Sequence, residues 1–283
     1  MITWEEFVKM IDNIEGLYNA AGGIRTKNFS ICGVGEPLTH KRLPDMIKYC
    51  SEHKICDRIE LTTNGSLLTH ELSDKLIDAG LTRLIISLQG TSADKYKKIC
   101  GYNLDFEKFV EEIRYFYENK GDCKLFLKTV DVALDDEADK EKFFEIFSPI
   151  CDTIGVESIM ESFDDVDYSD LVKKTTNLSR YGYKYQRRKC CDSLFMRMNI
   201  ASNGEVNACA CQWPPLVLGN INEKPLKEIW NKDIHKEIQI KHLSGLKDTI
   251  PKCAKCKALH SYAHPADNLD DHMEEILKRV QEK

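Results

Sequence analysis

Two periodicities of hydrophobic residues alternate along the first 160 positions of the chain. Apolar residues recur every three or four positions in several segments, which is typical of helices buried along one face. These segments predict helices at residues 3–20, 43–53, 69–79, 92–99, 105–119 and 137–147. Between them, short runs rich in Val, Ile, Leu and Thr predict strands at 28–33, 58–62, 83–88, 125–133 and 153–160. Strands that alternate with helices favour a parallel sheet of the α/β class.

The order of these elements indicates an incomplete barrel. The run from Arg83 to Leu88 is almost continuously apolar, as expected for a strand buried on both faces of a parallel sheet. A β/α barrel pairs each strand with the helix that follows it, whereas this chain begins with a helix. The sequence therefore predicts an α/β fold, a partial TIM-like parallel β/α barrel without its first strand.

The pattern changes after about residue 161. The next segment is polar and irregular, as is typical of a linker. It is followed by a predicted hairpin, with strands 195–201 and 206–209, and by helices at 226–230 and 269–281. We therefore predict a barrel domain, a linker and a small C-terminal α+β domain, at residues 1–161, 162–189 and 190–283.

Composition and charge exclude several classes of function. The chain has 283 residues and a net charge of −6 at pH 7, which does not suit a nucleic-acid-binding protein. The short basic run 184–189 is interpreted as part of a solvated linker. No segment approaches the roughly 20 apolar residues of a membrane helix, and the N-terminus lacks the features of a signal peptide. We expect a cytoplasmic protein without a membrane or nucleic-acid partner, in which thiols stay reduced.

Twelve cysteines are therefore candidates for core packing or metal binding rather than for disulfides. Six show no ligand spacing, and most of them are interpreted as small buried hydrophobic residues: Cys32, Cys50, Cys56, Cys100, Cys123 and Cys151. The other six lie in the last third of the chain: Cys190, Cys191, Cys209, Cys211, Cys253 and Cys256. Cys253 and Cys256 have C-x2-C spacing, and the predicted hairpin brings Cys191 and Cys209 to one end. Four thiolates from these places would make a closed site for either zinc or an iron–sulfur cluster.

A glycine-rich loop follows the first predicted strand. It reads Gly33-Val34-Gly35-Glu36-Pro37. Glycines let the backbone approach a ligand closely, and a carboxylate can pair with an ammonium group. The loop is thus a candidate binding site rather than only a turn.

With these motifs, the chain resembles the radical S-adenosylmethionine (SAM) enzymes that carry a C-terminal SPASM or twitch extension. The glycine loop resembles the family's GGEP motif, and residues 61–66 resemble its TNG signature. Residues 86–90 resemble the segment on the family's fourth strand whose polar residues contact the ribose or carboxylate of SAM. A polar residue on the next strand, Lys128, is a further candidate contact. By resemblance, the SAM-binding residues are Gly33, Gly35, Glu36, Pro37, Asn64, Ser87, Gln89 and Lys128.

The C-terminal third carries the most specific part of the resemblance. Cys191 is followed after 12 residues by Gly204 and after four more by Cys209, which is similar to the start of the SPASM pattern. Segments similar to the family's LGN and L-x-EIW signatures follow at 218–221 and 226–230. No cysteine follows Cys256, so the match is to the twitch form with one auxiliary [4Fe-4S] cluster. The resemblance implies the ligands Cys191, Cys209, Cys253 and Cys256, with Cys190 and Cys211 as alternates and zinc as the alternative metal.

The family's C-x3-C-x2-C motif, which binds the SAM-cleaving [4Fe-4S] cluster, does not occur in this sequence. We expect that the chain is truncated, or that its lineage has lost this cluster, and that it is inactive as given. The full-length parent would hold SAM and the second cluster, take electrons from flavodoxin or ferredoxin, and abstract hydrogen from a small-molecule or peptide substrate. The alternative is a non-catalytic, metal-stapled module that binds a peptide or partner protein.

Overall fold

The computed structural model describes most of the chain, with short gaps. The described residues are 1–20, 25–33, 35–160, 166–169, 178–184, 188–209, 216–256 and 258–282. The chain forms two compact units, one consisting of Tyr18–Glu157 and the other of Met1–Leu17 together with Ser158–Lys283. None of the described helices is long and apolar enough to cross a membrane.

A five-stranded parallel sheet forms the centre of the unit Tyr18–Glu157. Its strands lie side by side in chain order. They are β1 Thr26–Ile31, β2 Cys56–Thr63, β3 Arg83–Ser87, β4 Lys124–Val130 and β5 Thr153–Glu157. The first helix of the chain is α1 Trp4–Ala20, most of which belongs to the other unit. The helices of this unit are α2 Leu43–Glu52, α3 His70–Asp78, α4 Ala93–Cys100, α5 Phe106–Asn119 and α6 Glu137–Phe147. The predicted alternation of strands and helices is confirmed, with differences only at the ends of elements.

One row of side chains shows how the sheet is buried. Leu61, Leu84 and Leu125 lie next to one another on β2, β3 and β4, and each is fully buried. Burial of one leucine side chain stabilises a fold by about 1.5–3 kcal/mol. The residues at the following position of each strand point to the other face and are half-buried. This alternation fixes the register, since a shift by one residue would exchange the two faces.

Side-chain caps explain why the starts of four helices were predictable within one residue. The side chain of the residue before each helix accepts a hydrogen bond from the backbone N–H three positions later, at 2.9–3.4 Å. These residues are Thr69, Ser92, Asp105 and Asp136. Each cap satisfies one of the donors that a helix leaves without an intrahelical partner.

An ion pair with low exposure connects α4 to α6. The Lys95 ammonium contacts the Asp139 carboxylate, and the Thr91 hydroxyl donates to Asp139 Oδ1 at 2.5 Å. Burial alone would raise the pKa of Asp139, but the hydrogen bonds from Lys95 and Thr91 outweigh it, and this pKa is lowered. The ionised carboxylate is therefore the form that the folded state stabilises.

The second unit contains a small antiparallel sheet and short helices. The strands, in spatial order, are β6 Asn199–Ile200, β7 Glu205–Asn207 and β8 Val217–Asn220. The helices are α7 Ser193–Met196, α8 Leu226–Trp230, α9 Asp233–Leu243, α10 Pro251–Ala254, α11 Ala258–Ser261 and α12 Met273–Gln281. The predicted helix 226–230 is confirmed, and a turn with Gly204 at φ +83° connects β6 to β7.

Two predictions in this unit need correction. The first half of the predicted strand 195–201 is the one-turn helix α7, because the backbone N–H groups of Phe195 and Met196 both donate to the carbonyl of Asp192, at 2.9 and 3.1 Å. The C-terminal helix begins at Met273 rather than at 269, after the 3₁₀ turn Asp270–His272.

Helix α9 was not predicted. Its buried positions include His235, Ile238 and His242, which lie at helical spacing. Because two of these are histidines, the apolar periodicity that marks a helix is weak in this segment. The buried histidines themselves were the signal that sequence analysis missed.

By its contacts, α1 belongs with the C-terminal unit as far as Leu17. The Asn13 side-chain oxygen accepts a hydrogen bond from the backbone N–H of Leu226 at 3.0 Å, at the start of α8. Lys9 Nζ donates to the carbonyl of Asn222 at 3.4 Å. The amphipathic pattern of α1 shows that one face is buried, but it does not show which part of the chain covers it.

The interpretation of the basic run as a solvated linker is wrong for Arg188, which is 2% exposed. Its guanidinium donates to the carbonyl of His264 and lies 3.6 Å from Asp192. Residues 185–187 of the same run lie outside the described part of the chain.

Candidate cofactor and cluster sites

Glu36 fastens the loop after β1 to the end of β2. Its Oε1 accepts hydrogen bonds from the Thr63 hydroxyl at 2.5 Å and from the backbone N–H of Leu38 at 2.9 Å. Its Oε2 accepts from the backbone N–H of Asn64 at 2.8 Å. A carboxylate has about four acceptor positions, so the described residues occupy three and leave roughly one for a ligand.

The glycines before Glu36 border open space. A Cβ added at Gly35 would meet nothing within 4 Å, and one at Gly33 would meet only the backbone nitrogen of Gly35, at 4.0 Å. Pro37 begins the 3₁₀ turn Pro37–Thr39, which Glu36 caps. Val34 lies outside the described residues. The described part of the loop thus leaves room for a ligand beside its backbone.

The Asn64-Gly65 pair forms a tight turn at the end of β2. Asn64 Oδ1 accepts from the backbone N–H of Ser66 at 2.9 Å, and Gly65 has φ +74°. A Cβ at Gly65 would lie 2.9 Å from Ile86 and 3.1 Å from Phe109, so this position has no space for a side chain. The motif is therefore a structural turn, and it also directs the Asn64 N–H to Glu36.

The remaining predicted contacts lie at the ends of the next strands. Ser87 on β3 pairs in register with Lys128 on β4. Gln89 follows β3, and its backbone N–H donates to the Tyr96 hydroxyl at 3.2 Å. Lys128 Nζ donates to Glu157 at the end of β5, at 2.9 Å, and both side chains are 13% exposed. Glu157 is a residue of this site that sequence analysis missed.

These groups share the carboxyl edge of the parallel sheet, where ligands bind in open α/β folds. The edge combines a fastened carboxylate at Glu36, backbone flanked by glycine, and a lysine paired with a carboxylate. Such an arrangement suits a small ligand that carries both an ammonium and a carboxylate group.

The six scattered cysteines differ in environment. Cys50, Cys123 and Cys151 are buried, which confirms their interpretation as packing residues, and Cys56 is half-buried. Cys32 and Cys100 are exposed, so packing does not explain these two.

Cys253 lies within electrostatic range of two other predicted cluster ligands, Cys209 and Cys256. Burial, together with the neighbouring thiols of Cys209 and Cys256, raises the pKa of Cys253 to about 11. Cys209 follows β7, and Cys253 lies on α10. The fold therefore brings the end of the hairpin and the C-x2-C pair together.

The fourth predicted ligand, Cys191, donates its backbone N–H to Nδ1 of His242 at 3.3 Å. The alternate Cys190 is fully buried, and burial raises its pKa to about 12. The other alternate, Cys211, lies outside the described residues. Within the described part of the chain, no three His, Cys, Asp or Glu side chains are arranged to hold a metal ion, so the ligand set stays a prediction.

His242 is a further candidate residue of this site. It is 2% exposed, and burial lowers its pKa to about 4, so the ring is neutral at pH 7. Its Nε2 is a buried atom without a hydrogen-bond partner among the described residues. An orphaned polar atom on a ring that contacts the backbone of a predicted ligand, Cys191, fits a site that a cofactor completes.

Comparisons with protein families cover both units. The model for the radical SAM superfamily matches residues 3–141, and the SPASM model, an iron-sulfur cluster-binding domain, matches residues 190–257. Together the two models match most of the chain and the segments that carry both candidate sites.

The relatives match different shares of the chain. An AdoMet-dependent heme synthase from Methanosarcina barkeri is 24% identical, over 87% of this chain and 81% of the synthase. A probable GTP 3′,8-cyclase from Methanococcus maripaludis is 39% identical, over 37% of this chain and 35% of the cyclase. Among solved structures, native anSMEcpe with bound AdoMet matches with a TM-score of 0.58 and 15% identity, over 99% of this chain and 88% of that one. The structural match supports the predicted partial barrel with a small C-terminal domain.

Proposed function

Because the chain belongs to the radical SAM superfamily and carries a SPASM iron–sulfur domain, we propose that it binds SAM at the carboxyl edge of its parallel sheet and one auxiliary [4Fe-4S] cluster in its C-terminal unit. In this family, bound SAM supplies a 5′-deoxyadenosyl radical for hydrogen abstraction. The observation that carries the proposal is the Glu36 clamp, which consists of the three hydrogen bonds that fix the Glu36 carboxylate. It lies next to glycine backbone that borders open space.

On the SAM side, the proposed roles follow from the contacts. The backbone at Gly33 and Gly35 would hold the methionine part of SAM, and the remaining acceptor position of Glu36 would receive its ammonium group. Lys128 receives the carboxylate, and Glu157 orients Lys128 through their ion pair. Ser87 and Gln89, at the end of β3, contact the ribose or the carboxylate.

On the cluster side, the proposed ligands are Cys191, Cys209, Cys253 and Cys256. The chemistry of four thiols from three segments fits a [4Fe-4S] cluster. The proximity of Cys253 to both Cys209 and Cys256, and the position of all four residues within 190–257, support this assignment.

We propose a small molecule as the substrate, because the relatives described above are named for reactions that make heme and cyclise GTP. A peptide is the second candidate. The auxiliary cluster would receive an electron from the product radical or hold the substrate, and flavodoxin or ferredoxin would supply electrons. The 283 residues contain no C-x3-C-x2-C motif, so we propose that SAM cleavage needs a cluster-binding segment that this sequence does not include.

The test is metal analysis after anaerobic reconstitution with iron and sulfide. A brown protein with about four irons per chain and no zinc is expected. A colourless protein that retains zinc would contradict the cluster assignment.

Calorimetry with SAM tests the other site. Glu36→Gln should weaken SAM binding at least tenfold, because an amide cannot accept all three hydrogen bonds. Glu52→Gln, at an exposed position of α2, is the control. Absence of SAM affinity, in this chain and in one joined to a C-x3-C-x2-C segment, would favour a non-catalytic metal-stapled module that recognises a peptide or partner protein.

A further inference from the structure

His242 carries a buried hydrogen-bond donor that no described residue accepts. Its Nδ1 accepts the backbone N–H of Cys191 at 3.3 Å. A ring nitrogen that accepts a hydrogen bond has no proton, so the neutral ring is assigned its proton on Nε2. Nε2 is buried and has no hydrogen-bond partner in the described part of the chain.

The other buried histidine of α9 is different. His235 is 1% exposed, and its two ring nitrogens lie 2.8 Å from the carbonyl oxygen of Trp230 and 3.1 Å from that of Leu194. Its polar atoms are thus satisfied by the polypeptide. Because buried donors are hydrogen-bonded in the great majority of cases, the contrast indicates that the partner of His242 Nε2 lies outside the described residues.

The surroundings of His242 identify that partner by its chemistry. The charges of Lys247 and Asp248 act on both the His242 ring and the Cys253 thiol, so ring and thiol share one neighbourhood. Cys191 is in direct contact through its backbone. The ring therefore contacts one proposed ligand directly and shares two charged neighbours with a second, and the acceptor that such ligands offer is sulfur.

We propose that the Nε2–H of His242 donates a hydrogen bond to a sulfur atom of the auxiliary cluster or of a ligating thiolate. This proposal rests on the proposed function, since it requires the cluster. A donor to sulfur stabilises the negative charge that the cluster gains on one-electron reduction, and it therefore raises the reduction potential. His242 is thus a positioning residue that both fixes the backbone of Cys191 and adjusts the cluster.

The experiment is a redox titration of the reconstituted protein with dithionite, followed by electron paramagnetic resonance. His242→Met should shift the midpoint potential to a more negative value, whereas His242→Gln, which keeps an N–H donor, should shift it less. His235→Met, the same substitution at the other buried histidine of α9, should leave the potential unchanged. An iron-loaded His242→Met protein with the wild-type potential would overturn the proposal.

A second measurement needs no variant. In wild-type protein with ¹⁵N-labelled histidine, pulsed electron paramagnetic resonance of the reduced cluster should detect weak coupling of the electron spin to one ring nitrogen and to an exchangeable proton. Absence of this coupling would overturn the proposal even if His242→Met fails to fold. A wild-type protein that takes up zinc but no iron would instead refute the proposed function, and the two failures are therefore distinguishable.

Discussion

Replacing Thr63 by valine should destabilise the unit Tyr18–Glu157 and loosen the loop that we propose to bind SAM. The Thr63 hydroxyl donates to Glu36 Oε1 at 2.5 Å and accepts the backbone N–H of Gly65 at 2.9 Å. Thr63 is 3% exposed, so water cannot replace these partners easily. Valine has nearly the same shape, and the substitution therefore removes the two hydrogen bonds without opening a large cavity.

The magnitude follows from the two contacts. A hydrogen bond to a charged group contributes about 1.5–3 kcal/mol, and a neutral one about 0.5–1.5 kcal/mol. Thr63→Val should thus lower the free energy of unfolding by about 2–4 kcal/mol. If about 1 kcal/mol is then needed to order the Glu36 loop on binding, SAM affinity falls roughly fivefold.

The assay is urea unfolding with two probes. All three tryptophans, Trp4, Trp213 and Trp230, lie outside Tyr18–Glu157. Tryptophan fluorescence therefore reports on the C-terminal unit, whereas far-UV circular dichroism reports on both units. With a slope of about 2 kcal/mol per M urea, the midpoint of the unfolding transition detected by circular dichroism should fall by roughly 1–2 M, and the midpoint detected by fluorescence should fall less.

Thr62→Val is the matched control, because the adjacent side chain points to the opposite face of β2 and is half-buried. It should shift the midpoint far less than Thr63→Val. Equal shifts for both variants, or unchanged stability of Thr63→Val, would refute the reasoning that the Glu36 clamp stabilises this unit.

Three further predictions concern the cluster, a turn and an ion pair. After reconstitution, Cys253→Ala should contain much less iron than the wild type, whereas Cys100→Ala should keep its iron. Iron content is measured by plasma mass spectrometry, and equal iron loss in both variants would contradict the ligand assignment. Gly65→Ala should lower the free energy of unfolding by more than about 1 kcal/mol, because φ is +74° and the new Cβ would lie 2.9 Å from Ile86. Gly101→Ala, at φ +66° with open space around it, should lower the free energy of unfolding by only about 1 kcal/mol. Thermal unfolding of the two variants compares these effects. Because the pKa of Asp139 is lowered in the folded state, its stabilising contribution is complete above its unfolded pKa of about 4 and is lost as pH falls through the folded value. Urea midpoints of Asp139→Asn should therefore fall less steeply below about pH 4 than those of the wild type, and parallel pH profiles would exclude this role.

Much of the first unit was predictable because the signals are local. The N-cap residues Ser92 and Asp105 are followed by amphipathic segments, and a helix start depends only on hydrogen bonds three positions along the chain. The Asn64-Gly65 turn is local for the same reason. The hairpin prediction was wrong in its first half, because the backbone hydrogen bonds of Phe195 and Met196 to the carbonyl of Asp192 outweigh the preference of an apolar run for a strand.

By itself, the sequence determined the α/β alternation, the two family signatures and the cysteines available as ligands. Periodicity and motif spacing record the conformation of neighbouring residues and the chemistry of their side chains. The tertiary structure alone decided that Glu157 pairs with Lys128, that α1 contacts the C-terminal unit, and that His242 lies beside Cys191. These pairs are far apart along the chain, so no local pattern encodes them, and their partners are chosen only when the fold buries them together.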